Sequence, residues 1–150
     1  MSSDVFIVGA ARTPVGSLQG TLASQTAPQL GAHAIAAALS HADINASDVD
    51  EVVMGNVVSA GLKQAPARQA MRQAKLPDSC GATTINKVCG SGMKAAMIAT
   101  DLIRAGSADT VVAGGMESMS NAPYLLDKAR SGLRRGPTQM LAALFTDGLE

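Results

Sequence analysis

Four short apolar runs, separated by stretches of helical composition, constrain this chain more than any other feature. The runs are Asp4–Ala10, Asp50–Val58, Ala82–Ile85 and Ala108–Gly115. The first and last are continuous and end in small residues, the pattern of strands buried on both faces. The third is a small β-branched run that follows the turn residues Pro77, Asp78, Ser79 and Gly81. Between the first two, Thr26-Ala27-Pro28 caps and opens a long helix, with Leu30, Ala34, Ile35, Ala38, Leu39 and Ala42 along one side. Pro66–Ala74 is a short helix with Ala67, Ala70, Met71 and Ala74 on one face, and Met93–Ala105 is a longer one that stops at Gly106. Strands alternating with helices in this way predict an α/β layered domain built on a largely parallel sheet.

The chain has 150 residues, one domain's worth and enough to bury a substantial core. Its 12 basic and 12 acidic residues cancel, so nothing pulls it electrostatically toward nucleic acid or an acidic membrane surface. Phe6, Tyr124 and Phe145 are the only aromatic residues, so the core must pack small side chains closely. No apolar run is long enough to cross a bilayer, and no basic segment precedes an apolar one at the N-terminus. The expectation is a soluble, cytoplasmic protein. Cys80 and Cys89 match neither a zinc pattern nor a disulfide framework, which suits a reducing compartment and predicts no metal.

Cys89 stands between the third strand and the third helix, in Asn86-Lys87-Val88-Cys89-Gly90-Ser91-Gly92-Met93. That helix carries only Lys94, Asp101 and Arg104 as a polar stripe and reads as buried. A cysteine at its start faces the positive end of the helix dipole and unpaired backbone N–H groups, which favour thiolate over thiol. This is the placement of a nucleophile. The competing reading is a small core residue, because free cysteine is among the most buried residue types. His33 and His41, the only histidines, read as helix-surface residues rather than bases. Arg12 is expected to brace the fold. Asp127–Pro137 is a solvated basic loop, and Thr138–Glu150 begins a further helix.

Several motifs in order resemble the N-terminal part of the thiolase family, in particular its acetoacetyl-CoA type. They are Ala10-Ala11-Arg12-Thr13-Pro14, Met54-Gly55-Asn56-Val57, Pro66-Ala67-Arg68-Gln69, Asn86-Lys87-Val88-Cys89-Gly90-Ser91-Gly92, Ala113-Gly114-Gly115-Met116-Glu117-Ser118-Met119-Ser120, Ala122-Pro123-Tyr124 and Asp147-Gly148-Leu149. The resemblance implies the first half of a duplicated, layered α-β-α fold. Residues 1–120 would form the domain that carries the nucleophile, and residues 121–150 the start of a loop domain that covers coenzyme A. It further implies that Cys89 takes up an acyl group as a thioester, with its own backbone N–H as one oxyanion donor. Two acetyl-CoA would interconvert with acetoacetyl-CoA plus CoA, a reaction at home in fatty acid metabolism.

By the same resemblance Leu149 would lie in the substrate-binding region. Coenzyme A would be substrate and product, with no tightly bound cofactor, and the assembly would be a homo-oligomer, a dimer of dimers with the strand near Thr83–Ile85 at the dimer contact. The family's base histidine, water-holding asparagine and second catalytic cysteine belong to a second half and match nothing in these 150 residues. Without that half, a large apolar face should be exposed, and turnover should be absent. Two other readings stay open: a decarboxylating ketoacyl synthase of the same superfold, and a non-catalytic binding or assembly subunit.

Overall fold

The computed structural model describes residues 4–150. Three parallel strands form the sheet: β1 (Glu51–Gly55), β2 (Gly81–Ile85) and β3 (Val111–Gly115), in the order β2-β1-β3. Glu51 aligns with Gly81 on one side and Val111 on the other, and Gly55 with Ile85 and Gly115. The central strand is therefore the buried one. Val52 and Val53 are completely buried and Met54 nearly so, and each such side chain contributes about 1.5–3 kcal/mol.

Side chains of β1 alternate between two helical layers, as the strand period requires. Val52 and Met54 join Ile35 and Leu39 of α1 (Ala27–Ala42) and Met71 of α2 (Pro66–Gln73) in one apolar cluster. Val53 faces the other way, toward Ile98 and Leu102 of α3 (Ser91–Arg104). The result is the α-β-α layering expected from the alternation of elements. The α1 start is a capping box: Thr26 Oγ1 accepts from Gln29 N–H, and Gln29 Oε1 accepts from Thr26 N–H at 2.8 Å.

Several expectations need correction. Asp4–Ala10 forms no strand, and Phe6, Ile7 and Val8 are 76%, 91% and 62% exposed. An apolar run is buried only by neighbours, and this one has no hydrogen-bonded partner strand among the described residues. A cleft of about 430 Å³ separates it from β3, lined also by Ile35 and Leu39 of α1 and by Ala99 and Ile103 of α3. Its end is fastened instead to α1, where His41 Nδ1 lies 3.0 Å from the Ala10 carbonyl oxygen. For the same reason β3, at the sheet edge, is only half-buried.

The second run ends as a strand at Gly55, because Asn56–Val58 is drawn off by Glu117. The cysteine helix starts at Ser91 rather than Met93 and is amphipathic rather than buried. Only Ser91, Ala95 and Ala99 are buried, while Met93 and Met97 face outward. Arg12 is exposed and braces nothing: among the described residues the ion pairs are those of Arg68 and Arg72 with Asp78.

Beyond β3 the chain forms an antiparallel pair that the sequence does not announce, β4 (Tyr124–Leu126) with β5 (Met140–Ala142). The basic segment between them is exposed throughout, as expected of a solvated loop. The short helix α4 (Ala143–Thr146) follows, within the segment expected to begin one. Phe6, Ile7, Val8, Met93, Met97, Tyr124, Met140 and Phe145 are large apolar side chains exposed among the described residues.

Candidate active site

The carboxyl ends of β1, β2 and β3 point to the same side of the sheet, where open α/β sheets place their sites. Two loops meet there. The first, Asn56–Val58, follows β1, and its backbone is held by one carboxylate. Glu117 Oε2 accepts from Val57 N–H at 2.9 Å, and Oε1 from Val58 N–H at 3.1 Å and from Asn56 Nδ2 at 2.8 Å. Asn56 also donates from Nδ2 to the Met116 carbonyl and from its N–H to the Ile85 carbonyl, tying together the ends of all three strands. Burial pushes the Glu117 carboxyl above its ordinary value, against the pull of these three donors. Asn56 Oδ1 is buried without a partner among the described residues.

The second loop, Asn86–Gly90, follows β2 and carries Cys89. Asn86 Oδ1 accepts from Val88 N–H at 2.9 Å, an Asx turn that bends the chain immediately after the strand. Gly90 N–H donates to the Lys87 carbonyl, and Ser91 N–H to that of Val88. Cys89 is exposed at the tip of this turn, one residue before Gly90, which caps α3 without a side-chain bond. It stands at the start of α3, as the sequence reading expects, and in this structure it is exposed rather than packed in the apolar cluster.

The turn rests directly on the sheet. A Cβ on Gly55 would lie 2.5 Å from Ser91 Cβ and 3.1 Å from Gly92 N, so only glycine lets α3 begin so close to β1. Gly92 in turn faces the Gly114–Gly115 backbone. Sequence reasoning gave Glu117 no role of its own. The available signal was a single acidic residue directly after an apolar strand, in a stretch without other charges.

The other residues that the sequence brought forward lie elsewhere or at the margin. Leu149 is 58% exposed just beyond α4. A Cβ on neighbouring Gly148 would touch Val58, so this end of the chain abuts the loop after β1. Cys80 lies at the opposite end of β2, 2% exposed, with its thiol donating to the Gly81 carbonyl at 3.3 Å. Burial pushes that thiol up, helped by Glu51 and Asp50 and opposed by Arg68. His33 is exposed on α1 and His41 is engaged with Ala10, so neither stands beside Cys89. Among the described residues no three His, Cys, Asp or Glu side chains cluster as metal ligands.

Residues 5–150 match the model of the thiolase N-terminal domain. The chain belongs to the thiolase family. Acetyl-CoA acetyltransferase IB of Candida tropicalis is 55% identical over 146 residues, covering 97% of this chain and 36% of that protein. The acetyl-CoA acetyltransferase of Escherichia coli K12 is 54% identical over 144 residues, 95% of this chain and 36% of that protein. The chain thus spans just over a third of the length of the curated relatives it matches. Among solved structures, the Acat5 thiolase from Ascaris suum in complex with coenzyme A superposes with a TM-score of 0.94 at 41% identity, over 98% of this chain and 38% of that one. The layered α/β fold read from the alternation of elements is that of a thiolase.

Proposed function

We propose that this chain supplies the nucleophile of an acetyl-CoA C-acetyltransferase and that Cys89 is its acyl acceptor. One observation carries the reading: the chain's exposed cysteine stands on a hydrogen-bonded turn at a helix start, at the carboxyl end of the sheet. Its similarity to acetyl-CoA acetyltransferases supports the choice of acyl donor.

Cys89 sulfur, its proton removed, attacks the thioester carbonyl of acetyl-CoA. The carbonyl oxygen becomes an oxyanion that the Cys89 N–H helps hold, and its collapse expels CoA thiolate and leaves acetyl-Cys89. A second acetyl-CoA, deprotonated at its methyl carbon, then attacks acetyl-Cys89. Acetoacetyl-CoA forms and the cysteine sulfur leaves. A thiolate suits both steps, being a strong nucleophile and a tolerable leaving group. The base for each proton is the histidine and second cysteine that the family resemblance places in a second half.

In this reading residues 1–120 are the nucleophile domain and residues 121–150 open the loop domain, with Leu149 against bound coenzyme A. Coenzyme A is substrate and product, the setting is cytoplasmic, and the oligomer is a dimer of dimers. No helix of the described residues is long and apolar enough to cross a membrane.

Intact mass after incubation with acetyl-CoA tests the assignment. A single acetyl adduct that is lost in Cys89→Ala is the expected result, on this chain or on a longer chain that contains it. An adduct that persists in Cys89→Ala, or that maps to Cys80, sinks the assignment.

A further inference from the structure

Val88, immediately before Cys89, has φ +48°. This is left-handed backbone at a β-branched residue, where the side chain crowds the following carbonyl and the conformation is rarely adopted. Something must hold it there. Two neighbouring side chains bond it: Asn86, whose Oδ1 accepts from Val88 N–H at 2.9 Å, and Ser91, which is 5% exposed, wedged against Gly55 and bonded on both sides of Val88. Its hydroxyl oxygen accepts from Lys87 N–H at 2.8 Å, and its O–H donates to the Val88 carbonyl at 2.6 Å. A single hydroxyl thus closes the turn from both sides, bonding the residue before Val88 and the carbonyl of Val88 itself. The peptide whose carbonyl it fixes is the one whose N–H belongs to Cys89.

We infer that Ser91 is a positioning residue for Cys89, its hydroxyl holding Val88 left-handed and so setting the direction of the Cys89 N–H and thiol. The inference rests on the reading of Cys89 as acyl acceptor. Without the hydroxyl, Val88 relaxes toward ordinary backbone and the Cys89 peptide turns with it. The thiol stays exposed but no longer lines up with its own N–H across an incoming carbonyl. Acyl transfer needs both groups aligned, whereas simple alkylation needs only the thiol. The two reactions therefore separate a positioning role from general damage.

The test compares wild type, Ser91→Ala and the double variant Ser91→Ala/Val88→Gly in the full polypeptide that carries this sequence. Three quantities are measured: acetylation by acetyl-CoA, alkylation by iodoacetamide, and the Val88 carbon chemical shifts, which report its backbone conformation. Ser91→Ala should slow acetylation on the order of a hundredfold, the cost of a misplacement of about an ångström. Alkylation should stay within about twofold of wild type, since the thiol remains exposed. Glycine at position 88 adopts left-handed backbone freely, so the double variant should recover much of the lost acetylation.

Ser91→Ala that acetylates at the wild-type rate, or retains the native Val88 shifts, overturns the inference. So does a folded double variant that is no faster than the single one. If Ser91→Ala fails to fold, the double variant decides alone: acetylation near the wild-type rate supports the role, and a hundredfold deficit refutes it. If the wild-type protein takes up no acetyl group, the acyl-acceptor reading fails on its own account. The Val88 shifts of Ser91→Ala then still tell whether the hydroxyl holds the turn.

Discussion

Cys80 and Cys89 stand at opposite ends of the same five-residue strand, β2, yet their surroundings share almost nothing. Cys80 is packed into the apolar cluster beneath α1 and α2, its thiol pushed up by burial and by the carboxylates of Glu51 and Asp50. Cys89 is lifted out on a turn whose neighbouring backbone groups are bonded to Asn86 and Ser91. The difference shows that which end of a parallel strand a residue occupies decides its chemistry more than its identity does. At the amino end the chain enters from an exposed turn at Asp78 and Ser79 and tucks Cys80 into the apolar cluster, and at the carboxyl end it turns out into the start of a helix.

The contrast is broken most directly by thiol labelling. Iodoacetamide at neutral pH should modify Cys89 faster than Cys80 by on the order of a thousandfold, because the buried thiol reacts only through opening of a structure worth several kcal/mol. Cys89→Ser should abolish the fast phase, and denaturant should raise incorporation from one equivalent to two. Comparable rates for both thiols in the folded chain would erase the distinction.

A smaller effect sharpens the Cys89 end alone. Gly55→Ala introduces a Cβ 2.5 Å from Ser91 Cβ and should cost about 1–3 kcal/mol in denaturant unfolding, the usual range for overpacking. It should also slow acetylation of Cys89 while leaving Cys80 protected. Unchanged stability and acetylation would mean that the turn does not rest on β1.

The smallest effects lie at the Cys80 end and depend on pH. Asp50 Oδ2 accepts from Asp109 N–H at 2.7 Å and Thr110 N–H at 3.0 Å, and these bonds lower its pKa below the usual 3.8. Its contribution to stability is complete above the unfolded-state value and is lost as pH falls through the lowered native value. Cys80 works in the opposite direction. Its raised thiol pKa favours the fold below the ordinary value of 9.0, and that advantage is lost as pH rises toward the native value. Urea titrations of Asp50→Asn and Cys80→Ala across pH 3–10 should therefore differ from wild type in opposite ways. Asp50→Asn should lose acid sensitivity and Cys80→Ala alkaline sensitivity, and curves parallel to wild type at both extremes would refute the assignment.

Local signals in the sequence were sufficient for α1, with Thr26 as its cap and Pro28 in its first turn, for α2, with Pro66 at its start, and for the placement of Cys89 between a strand and a helix. Each of these rests on residues within a few positions of one another. What escaped depends on contacts distant in sequence. Val5–Ala10 has the same apolar texture as β1, but it lies beside a cleft instead of between two strands, so one is exposed and the other buried. The Met93–Met97 face of α3 was legible as apolar but not as bare. Glu117 escaped because its three donors come from a loop some 60 residues earlier.

The Glu117 clamp also bears on the order in which the protein can be made. A ribosome delivers Asn56–Val58 and the Cys89 turn well before β3 and Glu117 emerge, and the partners of that carboxylate are separated from it by 60 residues of chain. Contacts over such a distance form late and slowly compared with helices and turns. Until Glu117 is translated, the loop after β1 lacks its carboxylate clamp and is tied to the sheet through the Asn56 N–H and the Ile85 carbonyl of β2. The reactive thiol is thus synthesised before its surroundings are complete, and a nascent chain halted before Met116 would carry the Cys89 turn beside a loop that still lacks its Glu117 clamp.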